Sequence, residues 1–164
     1  MENINEIKYK AIGIIHSGFT DKANAPIQGT FAKDAKGTVE IFPEYADGLK
    51  DIEGFSHLIL IYHFHLSNGY SLISMPFLED EQHGIFSIRH FNRPNPIGLS
   101  IIKLKKVKGN LLEIEDVDIL NGTPLLDIKP YVSLFDNKPD AKSGWLSNPE
   151  LDMVKGKAGE HRSE

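Results

Sequence analysis

Residues Phe55–Leu66 read FSHLILIYHFHL, the most apolar run of the chain, and their length with their β-branched and aromatic content predicts a buried central strand. Periodicity alone is also compatible with a short helix. In an extended strand His57, Ile59, Ile61, His63 and His65 share one face, and Leu58, Leu60, Tyr62, Phe64 and Leu66 take the other. Upstream, Tyr9–His16 and Gly37–Phe42 read as two more strands, separated by a loop, Ser17–Lys36, that holds Gly18, Pro26 and Gly29. A short helix is predicted over Pro43–Ile52, with Pro at its first turn, Gly54 after its end, and Leu49 and Ile52 facing inward. Downstream, Ser67–His83 is irregular, and Gly84–Arg89 reads as a strand feeding the Pro-rich turn Arg93–Gly98. Leu99–Val107 and Leu111–Val117 form a predicted hairpin around Lys108-Gly109-Asn110, and Thr123–Ile128 is one more extended stretch. No amphipathic pattern of ten residues and no internal repeat is present. Many short strands at irregular spacing predict a mainly β fold, a barrel or a sandwich.

The chain's 164 residues suit one domain, expected over residues 1–147, with a polar tail over 148–164. It holds no cysteine, which excludes a disulfide framework, a zinc ribbon and a thiol nucleophile and fits a reducing, cytoplasmic setting. No apolar stretch approaches the roughly 20 residues of a membrane helix, and MENINEIKYK lacks a hydrophobic signal core. The formal net charge of −5 gives no overall attraction for nucleic acid. A nucleic-acid ligand then needs a local basic patch, or one made by pairing two subunits.

Four constellations carry polar chemistry. A His-x-His pair such as His63 and His65 is a metal-binding element in cupin-type barrels. That pattern also wants a Glu a few residues on, and residues 66–70 offer none, so no metal is expected; His57 is a core or rim residue and His65, at the strand end, is kept for a site. In RPNPIG, Arg93–Gly98, two prolines stiffen a backbone that carries Arg93 and Asn95, with Arg89, His90 and Asn92 close by. Stiffly held arginines suit a carboxylate or a phosphate. In DVDILNGTPLLDIKP, Asp116–Pro130, the Asn121-Gly122 turn lies beside the acid Asp118, a pairing that suits an adenosine or an amino group. Lys103, Lys105, Lys106 and Lys108 alternate with apolar residues as the wet face of a strand and form the best local patch for phosphates. GxGxxG, Walker A and GxSxG motifs are all missing.

Taken in order, Ala25-Pro26-Ile27-Gln28, GLKDIEGFSHL, GIFSIR followed by RPNPIGLS, and NGTPLLDIKPY resemble the TsaA/TrmO-like family from about Ile12 to Asp140. The resemblance implies a single compact β-barrel with short helical insertions that binds S-adenosyl-L-methionine and works as a homodimer. It also implies a tRNA (adenine-N)-methyltransferase, acting on the exocyclic amine nitrogen of threonylcarbamoyl-adenosine next to the anticodon. Matched by position, the cofactor contacts fall on Pro26, Ile27, Gln28, His65, Leu66, Arg89, Leu99, Asp118, Ile119, Leu120 and Asn121. Arg89 would pair the cofactor carboxylate, Asp118 its ammonium or ribose, Gln28 a polar edge, and Pro26, Leu66 and Leu99 the adenine ring. Arg93, Asn95 and Lys129 are expected on the substrate side, and His65, Asp127 and Tyr131 stand as unranked candidates for a base. The chain departs from the family pattern at His90-Phe91, at Ser74-Met75-Pro76-Phe77 and at Asn121, where the family turn carries Asp. Those departures leave two other readings open: a cofactor-binding module without turnover, or a methyltransferase for another substrate. A metal-dependent barrel enzyme built on His63 and His65 is the third.

Overall fold

Within the run Phe55–Leu66, His57–His63 folds as the extended strand that its alternation predicts: Leu58, Leu60 and Tyr62 are buried, while His57, Ile59, Ile61 and His63 are half-buried on the opposite side. The strand ends before the turn at His65 and Leu66, where Leu66 is exposed and not on the buried face. The computed structural model describes residues 5–21, 32–76 and 80–147. In chain order these hold strands β1 (Gly13–Ser17), β2 (Lys36–Ile41), β3 (His57–His63), β4 (Ile73–Ser74), β5 (His83–Gly84), β6 (Ile97–Lys108), β7 (Leu111–Glu115) and β8 (Thr123–Pro130). A four-residue helix, α1 (Ser133–Asp136), and several 3-10 turns complete them. The described residues group into two compact units, one within 1–70 and 91–131 and the other within 71–90 and 132–164.

The first unit is a closed barrel in the order β1-β2-β7-β6-β3-β8, each strand antiparallel to both neighbours. Closure gives every barrel strand a hydrogen-bonded neighbour on both sides. Each strand sends aliphatic side chains inward, among them Ile15, Val39, Leu60, Ile102, Ile114 and Leu125, all fully buried. Burial of each such side chain stabilises the fold by roughly 1.5–3 kcal/mol. The predicted hairpin is present: Lys108 faces Leu111 across Gly109-Asn110, where Gly109 takes the left-handed φ of 60° that favours glycine. Asn110 Nδ2 ties this end to β2 by donating to the Ile41 carbonyl at 2.7 Å.

Three expectations are corrected. The first strand starts at Gly13 rather than Tyr9, whose ring is exposed. Pro43–Ile52 is not one helix but a 3-10 turn, Pro43–Leu49, followed by another, Ile52–Gly54. The break is at Asp51, at φ 66°, although Leu49 and Ile52 do face the core as expected. Gly84–Arg89 is not a strand: after β5 the chain forms a 3-10 turn over Ile85–Ser87. Ile85 and Ile88 are the buried pair there, a spacing of three that suits a 3-10 turn and not the alternation of a strand.

In the second unit β4 pairs with β5, and Ile85 donates its N–H to the Leu72 carbonyl at 2.9 Å. His83 stacks on Trp145 with ring centroids 4.6 Å apart, and Trp145 Nε1 donates to the Ser87 carbonyl. Among the described residues no helix is long and apolar enough to cross a membrane. The tail expected from Asn148 lies outside them.

Candidate functional site

Where β7 ends, the chain crosses one mouth of the barrel as residues Asp116–Gly122 before re-entering the wall as β8. Asp116 starts the crossing at φ 63°, and Asp34 donates its N–H to Asp116 Oδ1 at 2.9 Å. Burial pushes the Asp116 carboxyl up, but that hydrogen bond and the Lys103 ammonium 3.2 Å away outweigh it and hold the group below its ordinary value. Val117 and Ile119 then drop into the core, fully buried, so the alternation brings Asp118 and Leu120 to the partly exposed side.

Every residue of the strip Asp118–Asn121 is held by a hydrogen bond from the barrel. Ser100 on β6 donates its hydroxyl to Asp118 Oδ1 at 2.6 Å, and Ser17 on β1 donates to the Ile119 carbonyl at 2.6 Å. Thr123 on β8 donates to the Leu120 carbonyl at 2.7 Å. Asn121 accepts the Ser17 N–H on its Oδ1 at 3.1 Å and gives its own N–H to the Phe19 carbonyl at 2.7 Å. The oxygen that shapes the turn is one an aspartate would also offer, so the departure at Asn121 keeps the turn. Gly122, at φ 79°, closes it and donates to the Ile15 carbonyl.

His65 lies beside this strip, one turn past the end of β3, with Nδ1 3.3 Å from Thr123 Oγ1. The single Thr123 hydroxyl proton is committed to Leu120, so the bond runs from His65 Nδ1–H to Thr123, and the lone pair of the neutral ring is on Nε2. Burial lowers the His65 pKa from 6.5, and nearby His63 lowers it further, which keeps the ring neutral near pH 7. The site therefore presents acceptors, the Asp118 carboxylate and His65 Nε2, followed by the exposed apolar side chain of Leu66.

The RPNPIG turn is locked to the same strand end. Phe64 donates its N–H to the Pro96 carbonyl at 2.7 Å, and Ser67 donates its hydroxyl to the Phe91 carbonyl. Asn68 donates its N–H to Asn92 Oδ1 at 3.1 Å. Gly98 is needed here for space: a Cβ would lie 2.2 Å from Tyr62 Cε2 and 2.8 Å from Phe64 Cζ.

The structure brings His65, Leu66 and Asp118–Asn121 together at this mouth. Arg93 and Asn95 lie in the locked turn. Leu99 points the other way from Ser100, onto the outer wall, where it faces Ile61 of β3. Asp127 and Lys129 lie farther along β8, four and six residues past Thr123, and pair with each other at 2.7 Å. At about 3.3 Å per residue Asp127 is ~13 Å from the mouth. Tyr131 follows β8 at the opposite end, where its N–H bonds the His57 carbonyl. Arg89 belongs to the second unit, and Pro26, Ile27 and Gln28 lie outside the described residues. At that opposite end is a cavity of about 570 Å³ walled largely by apolar groups such as Ile12, Leu49, Phe55 and Ile128, with Glu44, Asp51 and Asp127 among its polar lining.

The lysine row does not stand as a bare cationic patch. Lys103 pairs with Asp116, Lys105 with Glu115 at 3.2 Å, and Lys108 with Glu113, whose carboxyl the Lys108 hydrogen bond holds below its ordinary value. Among the described residues no group of three His, Asp or Glu side chains could hold a metal. Sequence reasoning passed over the hydroxyls of Ser17, Ser100 and Thr123, which hold the strip, and of Tyr62, which bonds Ser100. One signal was available: Ser100 is polar in the inward phase of a strand whose neighbours in phase are Gly98 and Ile102.

Comparison with known proteins places these residues in context. Residues 14–137 match the family described as the tRNA-methyltransferase O N-terminal domain. A probable S-adenosyl-L-methionine-binding protein of Pyrococcus abyssi is 56% identical over 140 residues, covering 85% of this chain and 76% of the relative. The tRNA (adenine(37)-N6)-methyltransferase of Escherichia coli K12 is 32% identical over 162 residues, covering 92% of this chain and 69% of the relative. The crystal structure of TrmO from Pseudomonas aeruginosa superposes with a TM-score of 0.72 at 34% identity over 85% of this chain. A second TrmO crystal structure gives 0.74 at 35% over 88%. The present chain spans 62% and 66% of the length of those two solved chains.

Proposed function

The chain belongs to the family of the tRNA-methyltransferase O N-terminal domain, and from that premise we propose that it binds S-adenosyl-L-methionine at His65 and Asp118–Asn121. The reaction we propose is methyl transfer to the exocyclic amine nitrogen of threonylcarbamoyl-adenosine, next to the anticodon of tRNA. One observation carries the reading: all four residues of the strip are already fixed by hydrogen bonds from β1, β6 and β8. A site held in this way loses little freedom when a ligand arrives.

The donor and acceptor chemistry fits the cofactor. Its ammonium, ribose hydroxyls and adenine amine are donors, and the site offers the Asp118 carboxylate and His65 Nε2 as acceptors, with Leu66 as an apolar face. When bound, the cofactor supplies a methyl group activated on a sulfonium. The chain's own share is positioning, worth up to roughly 7–11 kcal/mol in well-oriented systems. Of the three candidate bases, His65 is the one beside the strip, but its single Nε2 lone pair is the acceptor offered to the cofactor, so none of the three is assigned to take up the proton of the substrate amine. Pro26, Ile27, Gln28 and Arg89 are proposed as further cofactor contacts because they match the family motifs, and Arg93, Asn95 and Lys129 as contacts to tRNA; Leu99, on the outer wall, is assigned to the pairing face instead.

A second copy of the chain is proposed to cover the outer wall. Ile97, Leu99 and Ile101 are 41%, 52% and 45% exposed in one row of β6, beside Ile59 and Ile61 of β3. Such a row is apolar surface suited to a homodimer. The setting proposed is the cytoplasm, where tRNA is found.

The test is transfer of a tritiated methyl group to tRNA from a strain lacking the modification, alongside calorimetric titration of S-adenosyl-L-methionine. Label in tRNA together with micromolar binding is expected. Binding without label would favour a cofactor-binding module without turnover, a reading that has support in the name of the Pyrococcus abyssi relative, which stops at binding. No binding would overturn both.

A further inference from the structure

Tyr62 and Ser100 face the barrel interior, 5% and 4% exposed, and their hydroxyl oxygens are 2.9 Å apart. Each hydroxyl has one proton to give. Ser100 gives its proton to Asp118 Oδ1 at 2.6 Å, so in the contact between the two hydroxyls Ser100 accepts and Tyr62 donates. The chain of bonds runs in one direction, from the Tyr62 phenol through Ser100 to the carboxylate.

Strand register makes the chain possible. Tyr62 of β3 stands directly opposite Gly98 of β6, and Ser100 is two residues farther on, opposite Leu60. Diagonal neighbours of this kind are within reach of an aromatic side chain. The Tyr62 ring lies over Gly98, where any Cβ would overlap it, and meets the Phe64 ring edge-on at 5.4 Å and 84°. The phenol is thus held in place by packing on both sides, and its hydroxyl comes to Ser100.

We propose that Tyr62 and Ser100 are positioning residues that orient the Asp118 carboxylate for the cofactor, acting through a buried, one-directional hydrogen-bond relay. This rests on the reading of Asp118 as a cofactor contact. The relay fixes one carboxylate oxygen toward the barrel interior before the ligand arrives, so that Asp118 spends no freedom in binding it.

The experiment is calorimetric titration of S-adenosyl-L-methionine into the full chain and into Tyr62→Phe, Ser100→Ala, the double variant of the two, and Asp118→Ala. Tyr62→Phe keeps the ring and its packing, and thermal unfolding checks that each variant is folded. Loss of a hydrogen bond of this kind is worth about 2- to 10-fold in affinity. We expect that loss from Tyr62→Phe, a loss at least as large from Ser100→Ala, and no further loss when the two are combined. In an Asp118→Ala background neither substitution should change the affinity that remains. That serial, non-additive pattern is one that a merely structural role would not produce. Asp118→Ala weak with Ser100→Ala at wild-type affinity would overturn the relay and leave the cofactor reading standing. Additive losses would also overturn the relay. Asp118→Ala at wild-type affinity would overturn the cofactor reading of Asp118 and the relay with it.

Discussion

The two ends of the barrel are built on opposite principles. At one end a four-residue strip crosses the mouth with every residue hydrogen-bonded to a hydroxyl or backbone group of the wall, and the groups it presents are a carboxylate and a neutral imidazole. At the other end is a hollow of about 570 Å³, walled mostly by aliphatic and aromatic side chains. Its apolar walls alone would pick the second as the site, as apolar pockets are the usual default. The polar chemistry picks the first: a ligand rich in donors needs acceptors held in place, and those lie where the hydroxyls of Ser17, Ser100 and Thr123 converge on one strip.

The widest separation between the ends should come from paired substitutions. Asp118→Ala removes a charged acceptor and should weaken S-adenosyl-L-methionine about 10- to 100-fold. Glu44→Gln, in the lining of the opposite cavity, should leave affinity within about 2-fold. Calorimetry on both decides it, and a reversed order would move the site to the other end. Next in size is Gly98→Ala, whose new methyl must displace the rings of Tyr62 and Phe64. Overpacking of this kind costs about 1–3 kcal/mol, to be read from urea unfolding. An unchanged midpoint would mean that the rings do not depend on the glycine.

The third test concerns the outer wall between the ends. Leu99→Glu with Ile101→Lys places charges in the exposed apolar row of β6, and sedimentation should shift from dimer to monomer. A monomeric wild type would contradict the proposed pairing. The smallest effect is that of pH. The His65 pKa is lowered from 6.5, so the folded chain carries fewer protons than the unfolded one between the lowered value and 6.5. Stability should therefore fall as pH drops through that window and stay level above it. Cofactor affinity should be flat between about pH 7 and 8 and decline at most about tenfold per unit in acid, as Nε2 takes a proton and ceases to accept. Affinity that rises in acid would contradict the acceptor role of His65.

The barrel was legible in the sequence because its strands alternate. Leu58, Leu60 and Tyr62 are buried just where period two puts them, and Gly109-Asn110 marks the hairpin at its true place. Ile85–Ser87 was not legible as a turn, because GIFSIR satisfies two periods and only packing shows that Ile85 and Ile88 are the buried pair. The lysines of β6 read correctly as a wet face, but their acidic partners come from β7 and Asp116, and only strand register brings those opposite. Asp118–Asn121 and His65 were nameable through their motifs. The groups that hold them were not, since Ser17, Ser100 and Thr123 are far apart in the chain and meet only when the barrel closes.

The most direct test of the central claim, that the held strip and not the apolar hollow is the cofactor site, is backbone hydrogen–deuterium exchange with and without S-adenosyl-L-methionine. The account predicts added protection at His65–Leu66 and Asp118–Asn121 and none over Glu44–Phe55. Protection confined to Glu44–Phe55 would contradict it and place the cofactor in the apolar cavity at the opposite end.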